Sequence, residues 1–293
     1  MGDKKAPAGW LLAGVILIAT AASATPAEVL PLHGATLRVA VVGDVGDGAT
    51  TVAAGIARVH AATPLDAVII PGDNFYPCSV TSVADKRWAI ITPLTTLGVP
   101  LYPVLGNHDY CGNPDAQVQA TGTVPHWRMP ARSYVVRNEL ADFAMLDTTP
   151  YATGQSRDAD GDVRDAFATS VATWRIAVGH HTIVSSGWHG YFPRSQHRRM
   201  ARLLPALRRS RVDLYICGHD HHLELVAGRP RMLVSGAGSD PIPPMALHPS
   251  TLYPADAKRV GGFAVLELTA TRMTITFYGM DGKPLAHGFP FAR

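Results

Sequence analysis

The sequence has few cysteines, little net charge and no long apolar run beyond its first residues. Three of its 293 residues are cysteine, and its formal net charge is +3 at pH 7. A charge balance this close to neutral neither requires nor excludes a nucleic-acid partner, so none is assigned. No stretch after residue 24 approaches the roughly 20 apolar residues of a transmembrane helix.

The sequence also lacks an internal repeat and any linker that would divide it. Apolar residues make up 47% of the chain and charged residues 17%. This composition can bury a substantial core and argues against disorder. Residues 25–293 are therefore predicted to form a single domain, and the sequence assigns no oligomeric state.

The first 24 residues have the pattern of a secretory signal peptide. A short basic start, Met1 to Lys5, precedes an apolar run from Trp10 to Ala22 that is short for a membrane span, and Ala22-Ser23-Ala24 matches an A-x-A cleavage site. We therefore predict export to the periplasm or the medium, with no stable membrane span after cleavage. The alternative is an uncleaved anchor.

Short apolar, β-branched runs alternate with helical patterns from Leu37 onward. Such alternation indicates an α/β fold, in which parallel strands are joined by covering helices and function lies at the carboxyl ends of the strands. The predicted strands in this part of the chain are residues 37–42, 66–70 and 101–105, and the predicted helices are residues 51–62 and 82–97.

The remaining strands are predicted from shorter stretches of sequence. Residues 134–137 and 142–146 indicate paired strands, and residues 175–178 a further strand. Near the end of the chain, residues 261–268 and 273–278 indicate a hairpin that closes a second sheet.

Two charged segments have structural interpretations. A basic amphipathic helix is predicted around residues 194–211, with Pro205 as a possible kink. The acidic run Asp158 to Asp162 superficially resembles a calcium loop but lacks the glycine and final glutamate of an EF-hand. We therefore predict a solvated acidic loop there.

Side chains with metal-ligand chemistry follow the ends of the predicted strands. The strands are far apart in sequence, but side by side in a sheet they would bring these groups together. Carboxylate, phenolate and amide oxygens with imidazole nitrogens suit a pair of iron, zinc or manganese ions, whereas structural zinc sites are more often rich in thiolates. Asp73 is the candidate to bridge both ions. The predicted ligands are Asp44, Asp73, Tyr76, Asn107, His180, His219 and His221.

The stretch Gly218–His222 carries two of these ligands after an apolar strand. Side-chain direction repeats every two residues in a strand, so His219 and His221 are predicted to point to the same side. The same alternation is expected to turn His181 and His222 away from their neighbouring ligands. Taken alone, the stretch is equally consistent with a polar turn after a buried strand.

The three cysteines are Cys78, Cys111 and Cys217. Cys78 and Cys111 each lie a few residues beyond a candidate ligand motif, so their loops can meet above one site. A disulfide between them is predicted in an oxidising compartment. Cys217 ends an apolar run and is predicted to remain a buried thiol.

Five short motifs follow one another in order along the chain. They are Gly-Asp-x-Gly from Gly43, Gly-Asp-x-x-Tyr from Gly72, Gly-Asn-His-Asp from Gly106, Gly-His from Gly179 and Gly-His-x-His from Gly218. This order resembles the purple acid phosphatase branch of the calcineurin-like metallophosphoesterases, and most closely the small single-domain tartrate-resistant acid phosphatases. The resemblance implies a four-layer αββα sandwich, with two mixed β-sheets packed face to face between helices. It makes residues 25–293 one catalytic domain.

One substitution places the chain within that superfamily. Most members have a histidine two residues after the first aspartate, whereas this chain has Gly46 there and offers Tyr76 in the second motif. A phenolate is a hard ligand that favours Fe(III). By resemblance, the ferric ion is held by Asp44, Asp73, Tyr76 and His221. A divalent iron, zinc or manganese ion is held by Asp73, Asn107, His180 and His219.

Further roles also follow from the resemblance. His108 and His189 are implied as catalytic and substrate-binding residues that contact the phosphate or protonate the leaving oxygen. Asn107 is also implied to contact the substrate. Asp109 and Asp220 are expected to orient their neighbours rather than to bind metal.

The resemblance implies an acid phosphatase that hydrolyses small phosphate monoesters. A hydroxide bound to Fe(III) would attack phosphorus, and a trivalent ion keeps that hydroxide available in mildly acidic solution. A phosphodiesterase or nucleotide pyrophosphatase on the same site is an alternative. A non-catalytic exported protein that binds phosphate or metal is a third reading, although the complete ligand set argues against it.

Overall fold

The computed structural model describes residues 1–2, 25–156, 158–191, 195–253, 260–286 and 288–293. Most of the predicted signal peptide, residues 3–24, lies outside this described part. No helix within these ranges is long and apolar enough to cross a membrane.

The described residues form strands that alternate with mostly short helices. The strands are β1 (Ala27–Val29), β2 (Leu37–Val41), β3 (Ala67–Ile70), β4 (Leu101–Pro103), β5 (Tyr134–Arg137), β6 (Ala141–Met145), β7 (Trp174–Val178), β8 (Leu214–Cys217), β9 (Leu223–Val226), β10 (Arg231–Ser235), β11 (Thr251–Tyr253), β12 (Gly262–Leu268), β13 (Arg272–Gly279) and β14 (Phe289–Ala292). The α-helices are α1 (Ala49–Ala62), α2 (Thr92–Thr95), α3 (Pro114–Gln119), α4 (Thr149–Thr153), α5 (Ala159–Phe167), α6 (Trp188–Tyr191), α7 (Ser195–Met200) and α8 (Leu203–Arg209). Short 3-10 helices cover Gly46–Gly48, Lys86–Ile90 and Asp109–Cys111.

Two mixed sheets make up the fold. The six-stranded sheet has the order β14-β13-β12-β2-β3-β4, and the eight-stranded sheet has the order β1-β5-β6-β7-β8-β10-β9-β11. In the first sheet β2, β3 and β4 are parallel, and in the second β6, β7, β8 and β10 are parallel. The predicted class, two mixed sheets with flanking helices, is confirmed, as are the β5–β6 pair and the β12–β13 hairpin.

The core forms in two layers because alternate residues of a strand face opposite sides of the sheet. Ile176 and Val178 of β7 lie in the larger cluster, which contains apolar residues of both sheets. Ala177, between them, lies in a second cluster with residues of α4, α5, α7 and α8, such as Leu207. Helix α1 packs against β12 of the other sheet. Helices therefore cover both sheets.

Side-chain hydrogen bonds also join the two sheets. The hydroxyl of Ser235 on β10 donates to the carbonyl of Val41 on β2 at 2.8 Å. The buried hydroxyl of Tyr134 on β5 donates to the carbonyl of Pro103 on β4 at 2.7 Å. These bonds satisfy polar groups that would otherwise be buried without a partner, and they set how the two sheets face each other.

Two predicted helices are broken into shorter ones. The predicted helix 82–97 consists of the 3-10 helix Lys86–Ile90 and the separate helix α2, because Pro93 has no N–H with which to continue a preceding helix. The predicted basic helix consists of α7 and α8. Pro205 lies in the first turn of α8, where proline is tolerated, so it is not a kink within one long helix.

The prediction of a solvated acidic loop at residues 158–162 is wrong. The side chain of Asp158 accepts a hydrogen bond from the backbone N–H of Gly161 and caps helix α5. Asp160 and Asp162 follow in the first turn, where carboxylates interact favourably with the helix dipole. The acidic residues therefore start a helix.

The structure joins Cys78 to Cys111 by a disulfide, with the Cα atoms 5.1 Å apart. Cys217 at the end of β8 is a buried free thiol. The disulfide connects the loop after β3 to the 3-10 helix after β4, so it fixes two segments that follow neighbouring parallel strands.

We expect Tyr134→Phe to lower the free energy of unfolding by about 1–2 kcal/mol, because the carbonyl of Pro103 loses a buried hydrogen-bond donor. Urea unfolding followed by circular dichroism measures the change. Tyr278→Phe is the control, since the Tyr278 hydroxyl makes no hydrogen bond to the described residues and its removal should cost little. Equal effects of the two substitutions would contradict the role given to the Tyr134 hydroxyl.

Candidate metal centre

The predicted ligands come from loops at the carboxyl ends of five strands in two sheets. Asp44, Asp73 and Asn107 follow β2, β3 and β4 of one sheet, and His180 and His219 follow β7 and β8 of the other. The backbone N–H of Gly43 donates to the carbonyl of Ser235 at 2.8 Å, close to the Ser235–Val41 bond. This contact between the sheets brings the two groups of strand ends together.

The phenol oxygen of Tyr76 lies between two carboxylates and an imidazole. It is 3.0 Å from Asp44 Oδ1, 3.0 Å from Asp73 Oδ2 and 3.1 Å from His221 Nε2. His221 Nδ1 donates to the backbone carbonyl of Asp240, so its Nε2 can direct a lone pair at the other three groups. A single hydroxyl proton cannot satisfy both carboxylates, so these electron-pair donors need a cation.

A second group of donors lies on the other side of Asp73. His180 Nε2 is 3.4 Å from Asp73 Oδ2 and 3.1 Å from Asn107 Oδ1. His180 Nδ1 donates to the carbonyl of Pro71, which leaves Nε2 to face the group. His219 Nδ1 is 3.1 Å from His180 Nε2. Asp73 Oδ2 contacts both groups, the position expected of a bridging ligand.

The electrostatics of this cluster favour positive charge. Burial lowers the pKa of His180, but Asp73, Asp44 and the carbonyl of Pro71 together outweigh burial and raise that pKa to about 9. Burial likewise lowers the pKa of His221, and Asp44 raises it to about 9. Burial and then the two carboxylates raise the pKa of the Tyr76 phenol far above its usual value. A phenolate at this position therefore depends on a nearby cation.

The donor set fits two metal ions. Ligand atoms of Asp44, Asp73 and His180 lie within 4.8 Å of one another, and all three residues are buried. Oxygen and imidazole ligands without thiolate suit iron, zinc and manganese. The structure therefore brings together all seven predicted ligand residues, in two groups that share Asp73.

Three of these residues have left-handed backbone conformations, which non-glycine residues rarely adopt. The φ angles are 56° at Asp44, 51° at Asp73 and 67° at His219. Each is held by hydrogen bonds, for example from the backbone N–H of His219 to Asp44 Oδ2 at 3.0 Å and from that of His108 to Asp73 Oδ1 at 2.9 Å. The surrounding contacts thus maintain a backbone strain that points the ligands inward.

The strand-alternation argument for His219 and His221 is wrong, although both residues face the cluster. Strand β8 ends at Cys217, and residues 219–222 form bends rather than an extended strand. The left-handed conformation of His219 and the hydrogen bond from His221 to Asp240 direct the two rings.

The ring of Tyr76 occupies the space beside Gly46 that a side chain at position 46 would fill. A Cβ atom at position 46 would lie 2.3 Å from Cδ2 of the Tyr76 ring, and Gly46 has a φ of +33°. A side chain at position 46 and the observed phenol therefore exclude each other. Gly218 is similarly constrained, since a Cβ atom there would lie 2.2 Å from Asp44 Oδ2.

Comparison with known proteins places this site in a family. The family model described as calcineurin-like phosphoesterase matches residues 37–223, which include all seven predicted ligands. The chain is 31% identical over 254 residues to purple acid phosphatase 7 of Arabidopsis thaliana, covering 75% of this chain and 74% of that protein. The chain belongs to the calcineurin-like phosphoesterases, in the purple acid phosphatase branch.

A second relative in sequence and a solved structure with a similar fold are consistent with this family. Tartrate-resistant acid phosphatase type 5 of Oryctolagus cuniculus is 29% identical, over 73% of this chain and 75% of that protein. The solved structure of GAP50, the anchor in the inner membrane complex of Plasmodium, is 24% identical, with a TM-score of 0.72 over 88% of each chain. This last similarity concerns the fold alone. The predicted family, and with it the assignment as a phosphatase, is confirmed.

Two histidines stand at the rim of this purple acid phosphatase site. His108 Nδ1 donates to the carbonyl of Pro77 at 2.7 Å, and its ring contacts the Tyr76 ring edge to face at 4.7 Å. His189 Nδ1 donates to Asp220 Oδ1 at 3.0 Å, and its ring centre is 3.8 Å from that of His219. Both side chains are half-buried. Each therefore has one anchored nitrogen, while Nε2 remains available for a ligand.

The neighbouring polar residues have other partners. His181 Nδ1 lies 2.9 Å from the hydroxyl of Thr148, and His222 Nε2 lies 3.1 Å from Glu224 Oε2. The carboxylate of Asp109 accepts from the backbone N–H of Gly106 at 2.8 Å, and so holds the loop before Asn107. The predictions that these residues lie outside the ligand set agree with these contacts.

A buried carboxylate outside the predicted site residues ties two segments of the site together. Glu224 on β9 is fully buried and accepts from the backbone N–H of Ser186 at 2.8 Å and from the Thr251 hydroxyl at 2.7 Å. The Ser186 hydroxyl in turn accepts from the backbone N–H of His248 at 2.7 Å. The signal was a lone glutamate inside the apolar run Leu223–Val226.

These bonds link the loop before α6, the helix that carries His189, to the loop that covers His221. The backbone N–H of Met245 donates to the carbonyl of Ser186, and that of Ile242 donates to the carbonyl of His221 at 2.7 Å. A cavity of about 80 Å³ lies between the two loops, with Ile242 and both histidines in its wall. Glu224 is therefore a positioning residue for the wall of the site.

Gln196 on α7 is a second residue of the site that was not predicted. Its side-chain amide lies 2.7 Å from His219 Nε2, the ring nitrogen that faces away from His180. A hydrogen bond at this nitrogen fixes the orientation of the ring. No sequence pattern connects Gln196 to His219.

We expect Glu224→Ala to lower the free energy of unfolding by about 3 kcal/mol, because several buried donors lose their acceptor. The Michaelis constant for an aryl phosphate should also rise, since the loops on either side of the cavity are released. Urea unfolding and steady-state kinetics measure the two effects. Glu267→Ala is the matched control, because Glu267 makes a partly exposed ion pair with Arg38 and should contribute about 0–1 kcal/mol. A Glu224 variant no less stable than the control would disprove the linking role.

Proposed function

We propose that this protein hydrolyses small phosphate monoesters as an acid phosphatase with a dinuclear Fe(III)–M(II) centre, where M is iron, zinc or manganese. The observation that carries the proposal is the position of the Tyr76 phenol, which lies within 3.1 Å of two carboxylates and an imidazole, with Gly46 making room for its ring. A phenolate in such surroundings favours a trivalent cation over a divalent one.

The two groups of donors suggest which residues hold each ion. Asp44, Tyr76 and His221 would hold Fe(III), Asn107, His180 and His219 would hold the divalent ion, and Asp73 would bridge them. Two such ions supply Lewis-acid stabilisation of an in-line displacement at phosphorus and lower the pKa of the attacking water.

His108, His189 and Asn107 are the proposed substrate contacts. Because Nδ1 of each histidine is held by an acceptor, Nε2 faces outward. A protonated Nε2 can donate to a phosphate oxygen or to the leaving oxygen of the ester. Asp220 keeps His189 in this orientation by accepting from both its ring nitrogen and its backbone N–H.

We also propose that the protein is exported, with residues 1–24 as the signal peptide and residues 25–293 as a single catalytic domain. The support is the disulfide between Cys78 and Cys111, since disulfides persist mainly in oxidising compartments.

The first test is to purify the exported form, measure its metal content and record a visible spectrum before and after reduction. We expect iron in the protein and an absorption band from a tyrosinate bound to Fe(III). Turnover of 4-nitrophenyl phosphate should exceed that of bis(4-nitrophenyl) phosphate. A preference for the diester would instead indicate a phosphodiesterase, and a metal-loaded protein without turnover would indicate a binding protein.

The second test is Gly46→Ala. We expect the Tyr76 ring to be displaced, so that the tyrosinate band shifts or disappears and the turnover of 4-nitrophenyl phosphate falls by at least about tenfold. Gly98→Ala is the matched control, because Gly98 has a φ of +77° but a Cβ atom there meets nothing within 4 Å. The control should keep its band and its turnover. A Gly46→Ala variant with an unchanged band would rule out Tyr76 as the source of the colour.

A further inference from the structure

A second cavity of about 780 Å³ lies away from the metal centre and is lined by arginines. We call it the arginine cavity. Its wall includes Arg208, Arg211, Arg229, Arg231 and Arg293, together with Trp174. Arg231 is half-buried, and the other four arginines are exposed.

The strand directions separate this cavity from the metal centre. Strands β7, β8 and β10 are parallel to one another. The cavity is lined by Trp174 and Arg231, the first residues of β7 and β10, and by Asp213, just before β8. His180 and His219 follow the opposite ends of β7 and β8. The two sites therefore lie at opposite edges of the eight-stranded sheet.

The charges in the wall do not balance. Asp213 is the carboxylate among the described lining residues, and its Oδ2 pairs with Arg293 at 2.8 Å and accepts from the backbone N–H of Arg175 at 2.9 Å. Five arginines and this one side-chain carboxylate are among the described residues of the wall. Positive charge is therefore in excess there, and an anion would lower the repulsion between the guanidinium groups.

Several of the guanidinium groups are held in place. Arg208 Nε donates to the backbone carbonyl of Arg229 at 2.9 Å. The guanidinium carbon of Arg231 lies 4.0 Å from the centre of the Phe291 ring, and that of Arg293 lies 5.4 Å from Trp174. Stacking on aromatic rings leaves the edges of a guanidinium free to form paired hydrogen bonds to an oxyanion. Contacts with the rest of the chain thus restrain the guanidinium groups of Arg208, Arg231 and Arg293 before a ligand arrives.

We propose that the arginine cavity binds a small organic anion that carries several phosphate or sulfate groups. Arginine recognises such groups through two parallel N–H···O bonds, and several arginines around one cavity favour a ligand with several anionic groups. The volume of about 780 Å³ leaves room for the organic part of the ligand. This site goes beyond the proposed phosphatase activity and does not depend on it.

The test uses myo-inositol hexakissulfate, whose sulfate esters are not phosphate esters and so are not substrates of the proposed activity. Isothermal titration calorimetry at about 0.15 M salt, where exposed charges are well screened, measures its affinity. We expect one ligand per chain, and at least about tenfold weaker binding to Arg229→Gln/Arg231→Gln. Should that double variant fail to fold, Arg211→Gln is the substitute, because the Arg211 side chain lines the cavity and is exposed.

The matched control is Arg164→Gln/Arg198→Gln, which removes the same charge from two exposed arginines outside the cavity. The control should bind the probe within about twofold of the unaltered protein. Equal loss in both double variants would show that the attraction is non-specific, and unchanged binding in the cavity variant would overturn the site. The probe could instead compete with 4-nitrophenyl phosphate, and do so equally in the cavity variant. That result would place the probe at the metal centre and would also overturn the proposal.

Discussion

The structure depends on the convergence of electron-pair donors where the two sheets meet. Asp44, Asp73 and Tyr76 come from one sheet, and His180 and His219 from the other, so the cluster forms only if the sheets keep their mutual position. The hydrogen bonds of Ser235 to the backbone around Val41 fix that position directly beside the site. The donor atoms of these carboxylates, the imidazole and the phenol lie 3.0–3.4 Å from one another. Holding them so close costs free energy when no cation is bound, so the fold and the proposed metal ions stabilise each other.

The pairing of Gly46 with Tyr76 shows how one position sets the chemistry of the whole cluster. The ring of Tyr76 occupies the space that any side chain at position 46 would need. A ligand can therefore come from one position or the other, but not from both. This steric exclusion gives a physical reason why the phenol of Tyr76 requires glycine at position 46. It also makes the proposed preference for Fe(III) depend on two residues separated by 30 positions in sequence.

Fold and function remain separate questions in this family. The chain has the same fold as GAP50, described as the anchor in an inner membrane complex, and is similar in sequence to purple acid phosphatases. The distinction between such roles lies in individual side chains, because one scaffold supports different sites. In this chain β7 and β8 of the larger sheet lead at their carboxyl ends to the histidines of the candidate metal centre, while the opposite ends of the same strands lie at the arginine cavity. These strands thus lead to candidate imidazole ligands at one edge of the sheet and to cationic groups at the other, and the candidate oxygen ligands follow strands of the other sheet.

The sequence by itself determined the candidate residues that the structure brings together, the strands β2, β3 and β7, the β12–β13 hairpin and the family, because these depend on local periodicity and on short motifs. It could not determine how His219 and His221 are directed, since a left-handed residue after β8 replaces strand alternation. Nor could it reveal that Glu224 contacts Ser186 and Thr251 or that Gln196 reaches His219. These contacts join residues 23 to 38 positions apart in the chain, and only the tertiary structure decides which of them meet.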